Sequence, residues 1–136
     1  YTFTMPGSKV TVSAEFVEEQ AASIFADVPA DVYYAKAVEW AVKKGITNGL
    51  ADGSFGVNNT CTRGQSVTFL YRASGSPAVS GSAAFSDVAA DAYYVSAVKW
   101  AEKNGITGGI GGGLFGSGNN CTRGQIVAFL WRDMAE

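Results

Sequence analysis

Histidine is absent from the 136 residues of this chain. Its absence removes the usual general base beside a nucleophilic cysteine and one of the two common zinc ligands, and two cysteines alone make no metal cluster. Catalysis is therefore not expected, and no cofactor or metal is implied. Ten basic residues stand against twelve acidic ones, for a net charge of −2 with no basic run. Nucleic-acid phosphates need a clustered positive footprint, so no nucleic-acid partner is expected. No apolar run approaches the roughly 20 residues of a membrane-spanning helix, and no signal-peptide pattern opens the chain. The start at Tyr1-Thr2-Phe3 reads as cut from something longer. For the two cysteines, a pair of small buried thiols and a Cys61–Cys121 disulfide both stay open, because bridging requires a particular Cα and Cβ geometry.

What the chain does contain is a duplication. Cys61-Thr62-Arg63-Gly64-Gln65 returns as Cys121-Thr122-Arg123-Gly124-Gln125, and residues 25–72 align with 85–132 at 29 identical positions of 48. Chance and shared helical composition do not produce such agreement. A Thr with Gln three places on, ahead of an apolar run, is the sequence form of a capping box, so a helix is expected to start at each copy. Arg63 and Arg123 then fall at the first helical position, beside unpaired N–H groups and the positive end of the helix dipole. An anion is favoured there, while a solvated arginine on a well-capped helix is the plainer alternative.

The remaining signals order the chain into five parts. Residues 1–17 alternate apolar and polar around Pro6-Gly7-Ser8-Lys9 and read as a β-hairpin, the remnant of an upstream β-domain. Residues 18–24 form a linker. Copies 25–72 and 85–136, joined by the Gly- and Pro-containing linker 73–84, each read as helix, glycine loop, helix. Asp31 and Asp91 suit N-caps of the first helix, whose apolar stripe carries Tyr34, Ala37, Val38 and Ala41, or Tyr94, Ala97, Val98 and Ala101. Trp40 and Trp100 widen that stripe, as core or inter-repeat packing rather than sugar stacking. Gly45 and Gly105 supply the left-handed residue that ends it. In the loops, Phe55 and Phe115 are expected to pin glycine-rich turns to the core. Asp52 lacks the companions of a calcium site, and Gly109 to Gly113 lack the ending of a phosphate loop. Asn58-Asn59-Thr60 and Asn120-Cys121-Thr122 match a glycosylation sequon too short to carry weight. The fold expected is mainly α, with tandem repeats sharing a core.

Phe-x-Asp-Val, Tyr-x-x-Ala-Val, Gly-Ile-Thr-x-Gly, Gly-x-Phe and Thr-Arg, in that order and twice over, closely resemble the S-layer homology repeat of bacterial cell-surface proteins. The resemblance implies helix-loop-helix units that anchor an exported protein non-covalently at the cell surface, on a pyruvylated and hence anionic secondary cell-wall polysaccharide. Carried onto this sequence, the family's Thr-Arg signature places Arg63 and Arg123 against the ligand's carboxylate. Gln65 and Gln125 stand where the family has Glu, keeping the capping box but removing a negative charge near the ligand. Tyr33 and Tyr93 replace the usual Trp and would stack on a pyranose face. Asp27 and Asp87 would accept from sugar hydroxyls or cap a neighbouring turn, and Gly49 and Gly109 would let the ligand approach closely. The family commonly uses three repeats, so a third repeat outside this sequence or association of two chains would complete the assembly. The competing reading is a protein–protein or self-association module with no glycan ligand.

Overall fold

The computed structural model describes residues 25–135, so the expected β-hairpin and the linker at 18–24 lie outside the described residues. The chain is mainly helical, with α1 at Ala35–Lys43, α2 at Arg63–Ala73, α3 at Val95–Lys103 and α4 at Arg123–Met134. Among the described residues there is no strand, only isolated antiparallel bridges Thr62 to Asn120 and Gly111 to Leu114. None of these helices is long and apolar enough to cross a membrane.

Both capping boxes form. The N–H of Thr62 donates to Gln65 Oε1 at 2.9 Å while Gln65 N–H donates to Thr62 Oγ1 at 3.1 Å, and the second copy repeats this at 3.0 and 3.1 Å. Two donors that the helix itself leaves unpaired are thereby satisfied at each start. The first helix of each copy begins differently. Asp31 and Asp91 do not cap it: α3 begins only after Tyr94, which makes no side-chain cap bond. The chain enters through successive tight turns instead, Val32 N–H to Pro29 carbonyl and Ala35 N–H to Val32 carbonyl in one copy, Ala92 to Ala89 and Val95 to Ala92 in the other. These turns use the leading donors and shift the helix start past the aspartates. At the other end of α3, Gly105 adopts φ 73 and its N–H donates to Glu102, while Ile106 N–H reaches back to Ala101 at 2.8 Å. This is a Schellman closure, and it buries Ile106.

Two compact units divide the described residues. The first comprises 25–43 and 48–57. Its core gathers Phe25, Val28, Ala35 and Val38, with the Phe55 ring 5.7 Å from that of Phe25. The second comprises 44–47 and 58–135. Here α2 packs against both α3 and α4, and Val67, Val98, Trp100, Ala101, Phe115 and Phe129 share one buried cluster. A helix that belongs to the first copy by sequence thus closes its core with both helices of the second. The two copies of the conserved tryptophan part company accordingly: Trp100 is buried against Tyr71, ring centres 5.7 Å apart, whereas Trp40 is exposed.

Candidate functional site

The aspartates of Phe-x-Asp-Val are clamps. Asp27 Oδ1 accepts the N–H of Phe55 at 2.9 Å and its Oδ2 accepts those of Gly56 and Val57 at 2.7 and 3.3 Å. Asp87 repeats the grip on Phe115 and Gly116, both at 2.8 Å. The backbone donor of Phe55 or Phe115 is the main cause that holds each carboxyl below its ordinary value. Each aspartate thus ties the start of its repeat to the glycine loop about 28 residues on. Gly49 and Gly109 serve the same loops. A Cβ on Gly49 would meet the Phe25 ring at 2.6 Å, and one on Gly109 would meet the Phe85 ring and the Leu114 carbonyl, each at 2.5 Å. Glycine at each position thus admits a close phenylalanine ring that leaves no room for a Cβ.

Arg63 and Arg123, identical in local sequence, occupy opposite environments. Arg63 is 4% exposed. Its Nε donates to the Phe115 carbonyl at 2.9 Å, one terminal nitrogen lies 3.5 Å from Thr107 Oγ1, and the guanidinium sits over the rings of Phe115 and Phe129 at 4.9 and 5.3 Å. Burial lowers its pKa, with Cys121 and Asp87 opposing, yet a guanidinium so held stays charged. Among the described residues no carboxylate pairs with it. Arg123 is exposed at the start of α4.

The N-terminus of α2 is not an open anion cradle. Arg63 N–H donates to Asn119, Gly64 N–H to Ser117, Gln65 N–H to Thr62 Oγ1 and Ser66 N–H to the Thr62 carbonyl. All four leading donors are used, so any attraction for an anion rests on the guanidinium rather than on bare N–H groups. Gln65 and Gln125 are spent in the capping boxes.

Beside the entry to α2 the second unit places two tyrosines. A Cβ on Gly64 would lie 3.3 Å from the Tyr94 ring, and Tyr94 meets Tyr93 edge-on at 5.0 Å. Tyr93 is 63% exposed, and burial of its phenol raises the pKa, with Tyr94 and Cys61 adding to the effect and Arg72 and Thr62 opposing it. That set of neighbours places Tyr93 beside the entry to α2. Tyr33 pairs with Tyr34 in the same edge-on manner but is 96% exposed. Arg63 of the first copy thus shares its surroundings with Phe115, Thr107 and Asp87 of the second, while Tyr93 stands beside Cys61 and Thr62 at the entry to α2. Asp27, Gly49 and Tyr33 lie in the first unit.

Ser117 escaped the sequence reading. Its hydroxyl is buried and has no hydrogen-bond partner, and its carbonyl holds the N–H of Gly64. The signal was a polar residue where the first copy has Val57. The contacts of Arg72 and Arg132 escaped the sequence reading as well. Each donates from the last turn to the carbonyl of Ile46 or Ile106, at 3.2 and 3.0 Å, fastening the Gly-Ile-Thr corner. Cys61 and Cys121 are free thiols, although the N–H of Cys121 donates to the Cys61 carbonyl at 2.7 Å.

Duplicated helix-loop-helix copies, aspartate-clamped glycine loops and an arginine at each capped helix start define a class of tandem repeat module. A profile of the S-layer homology domain matches residues 24–65 and 84–127, and the chain belongs to that family. It is similar to a cell surface protein of Thermoanaerobacter kivui, 36% identical over 88% of this chain and 16% of that protein. It is also similar to a surface-layer 125 kDa protein of Lysinibacillus sphaericus, 32% identical over 72% of this chain and 8% of that one. The chain thus spans less than a fifth of either relative's length. S-layer homology domains are anchoring modules of surface proteins, and this chain is such a module, located at the bacterial cell surface or wall.

Proposed function

We propose that the module is non-catalytic and holds its parent protein to the wall by binding an anionic secondary cell-wall polysaccharide, with a pyruvyl ketal as the charged group. The observation that carries this reading is Arg63. A cation taken out of water is costly unless it is compensated, and here carbonyl and hydroxyl dipoles and two ring faces compensate it with no carboxylate in ion-pair contact among the described residues. Asp87 acts on the guanidinium without a direct ion pair, so the positive potential of Arg63 is only partly offset. In such low-dielectric surroundings an approaching carboxylate is drawn more strongly than in water. Tyr93, 63% exposed, offers a face for a pyranose ring.

Co-sedimentation with purified cell-wall sacculi tests the proposal. Arg63→Met keeps most of the side-chain volume and removes the charge, while Tyr93→Ala alters an exposed ring; each is expected to weaken binding at least tenfold, with thermal melting checking that the variant is folded. Chemical removal of the polymer's acidic groups is expected to abolish binding by the unmodified protein. Equal binding before and after that removal would defeat the anionic-ligand reading.

A further inference from the structure

The contact between α2 and α3 joins the second helix of one copy to the first helix of the next, and the same two kinds of surface recur unpaired elsewhere in the chain. On α2, Val67 is 0% exposed, and Leu70 and Tyr71 pack against the shared cluster; their equivalents on α4 are Val127 at 62%, Leu130 and Trp131, all exposed. On α3, Trp100 is 6% exposed and Ala97 and Ala101 are buried; on α1 the equivalent Trp40 is 54% exposed, Ala37 is exposed and Ala41 is half-buried. Each open face is a copy of one side of an interface that the protein already makes. The residues that form the pairing are retained: Val127 for Val67, Leu130 for Leu70, Trp131 for Tyr71, and Trp40, Ala37 and Ala41 unchanged from Trp100, Ala97 and Ala101.

We infer that the exposed α4 face of one molecule docks on the exposed α1 face of a second copy, head to tail, repeating the α2–α3 packing between chains. The same placement brings two further groups to partners. Arg123 would reach the Phe55 carbonyl of the second copy as Arg63 reaches that of Phe115, and Gly124 N–H would meet the Val57 carbonyl as Gly64 N–H meets that of Ser117. The occupant is a second copy rather than an unrelated protein because the complementary surface is encoded in the chain itself. A contact of this kind joins two different patches, so it is heterologous rather than two-fold.

That asymmetry gives a decisive test. Sedimentation velocity and light scattering are expected to show the wild-type mass rising with concentration above the 14.2 kDa of one chain. Val127→Asp damages only the α4 face and Trp40→Glu only the α1 face, both at exposed positions, so each variant alone is expected to stay at the mass of a single chain. Mixed in equal amounts they are expected to form a species of about twice that mass, because the first retains an intact α1 face and the second an intact α4 face. Trp131→Glu and Ala37→Glu form a second pair should circular dichroism show either of the first variants misfolded. A wild type that keeps the mass of one chain at every concentration would overturn the inference and assign the faces to a further repeat or to the wall polymer. So would a single variant that associates as well as wild type, since an α4–α4 or α1–α1 contact would then carry the assembly.

Discussion

A carboxylate that accepts two or three backbone N–H groups is worth most while it is ionised. Asp27 and Asp87 both titrate below the ordinary 3.8, chiefly through the Phe55 and Phe115 donors. A carboxyl whose folded pKa is depressed stabilises the fold fully above its unfolded value and loses that contribution as pH falls through the folded one. Melting temperature is therefore expected to hold steady from neutral pH to about pH 5 and then to drop below about pH 4. Asp27→Asn plus Asp87→Asn should melt lower at pH 7 and show a shallower acid decline. The loop glycines separate backbone freedom from space. Gly109 and Gly113 both have positive φ, but only Gly109 has close neighbours. Gly113→Ala is expected to cost about 1 kcal/mol for the left-handed backbone, and Gly109→Ala at least about twice that, since the Leu114 carbonyl cannot swing away as a flexible side chain would. Urea titrations would show the order.

Among the elements, what could be read in advance was whatever depends on neighbours in sequence. Thr62 to Gln65 and Thr122 to Gln125 carry their caps within four residues, so both helix starts were legible, as were the closures at Gly45 and Gly105. Asp31 and Asp91 misled because turns made by Pro29 or Ala89 and their successors intervene before the helix. Equal caps should nevertheless have unequal value. Thr62 sits at the head of a helix packed on two others, and its backbone lies in the bridge to Asn120. Thr62→Ala is expected to cost about 1–2 kcal/mol and Thr122→Ala, on the exposed start of α4, about 0.5–1 kcal/mol. Thermal melts of the two variants side by side check the difference.

For the molecule as a whole, the duplication told where the copies lie but not which copy each helix would serve. Arg63 and Arg123 have the same neighbours in sequence, Thr before and Gly-Gln after, yet one is buried between phenylalanines and the other faces water. Nothing local distinguishes them; tertiary placement of the following copy does. The candidate site was legible to the same extent: Arg63 was named from the sequence, but its burial against Phe115 and Phe129 depends on α2 packing with the second copy. A fragment cut at the repeat boundary, residues 85–136, would strip α2 from Val98, Trp100 and Ala101. It is expected to lack a cooperative melting transition by circular dichroism, whereas a fragment spanning 44–136 should retain one.

Because the second helix of the first copy is lent forward to the second, evolution can tinker with this array only in whole steps of 60 residues. Insertion of one complete period regenerates the seam between copies unaltered. Half a period, by contrast, would strand a helix with no mate, so the length of such anchors is quantised by packing before selection for wall affinity ever acts.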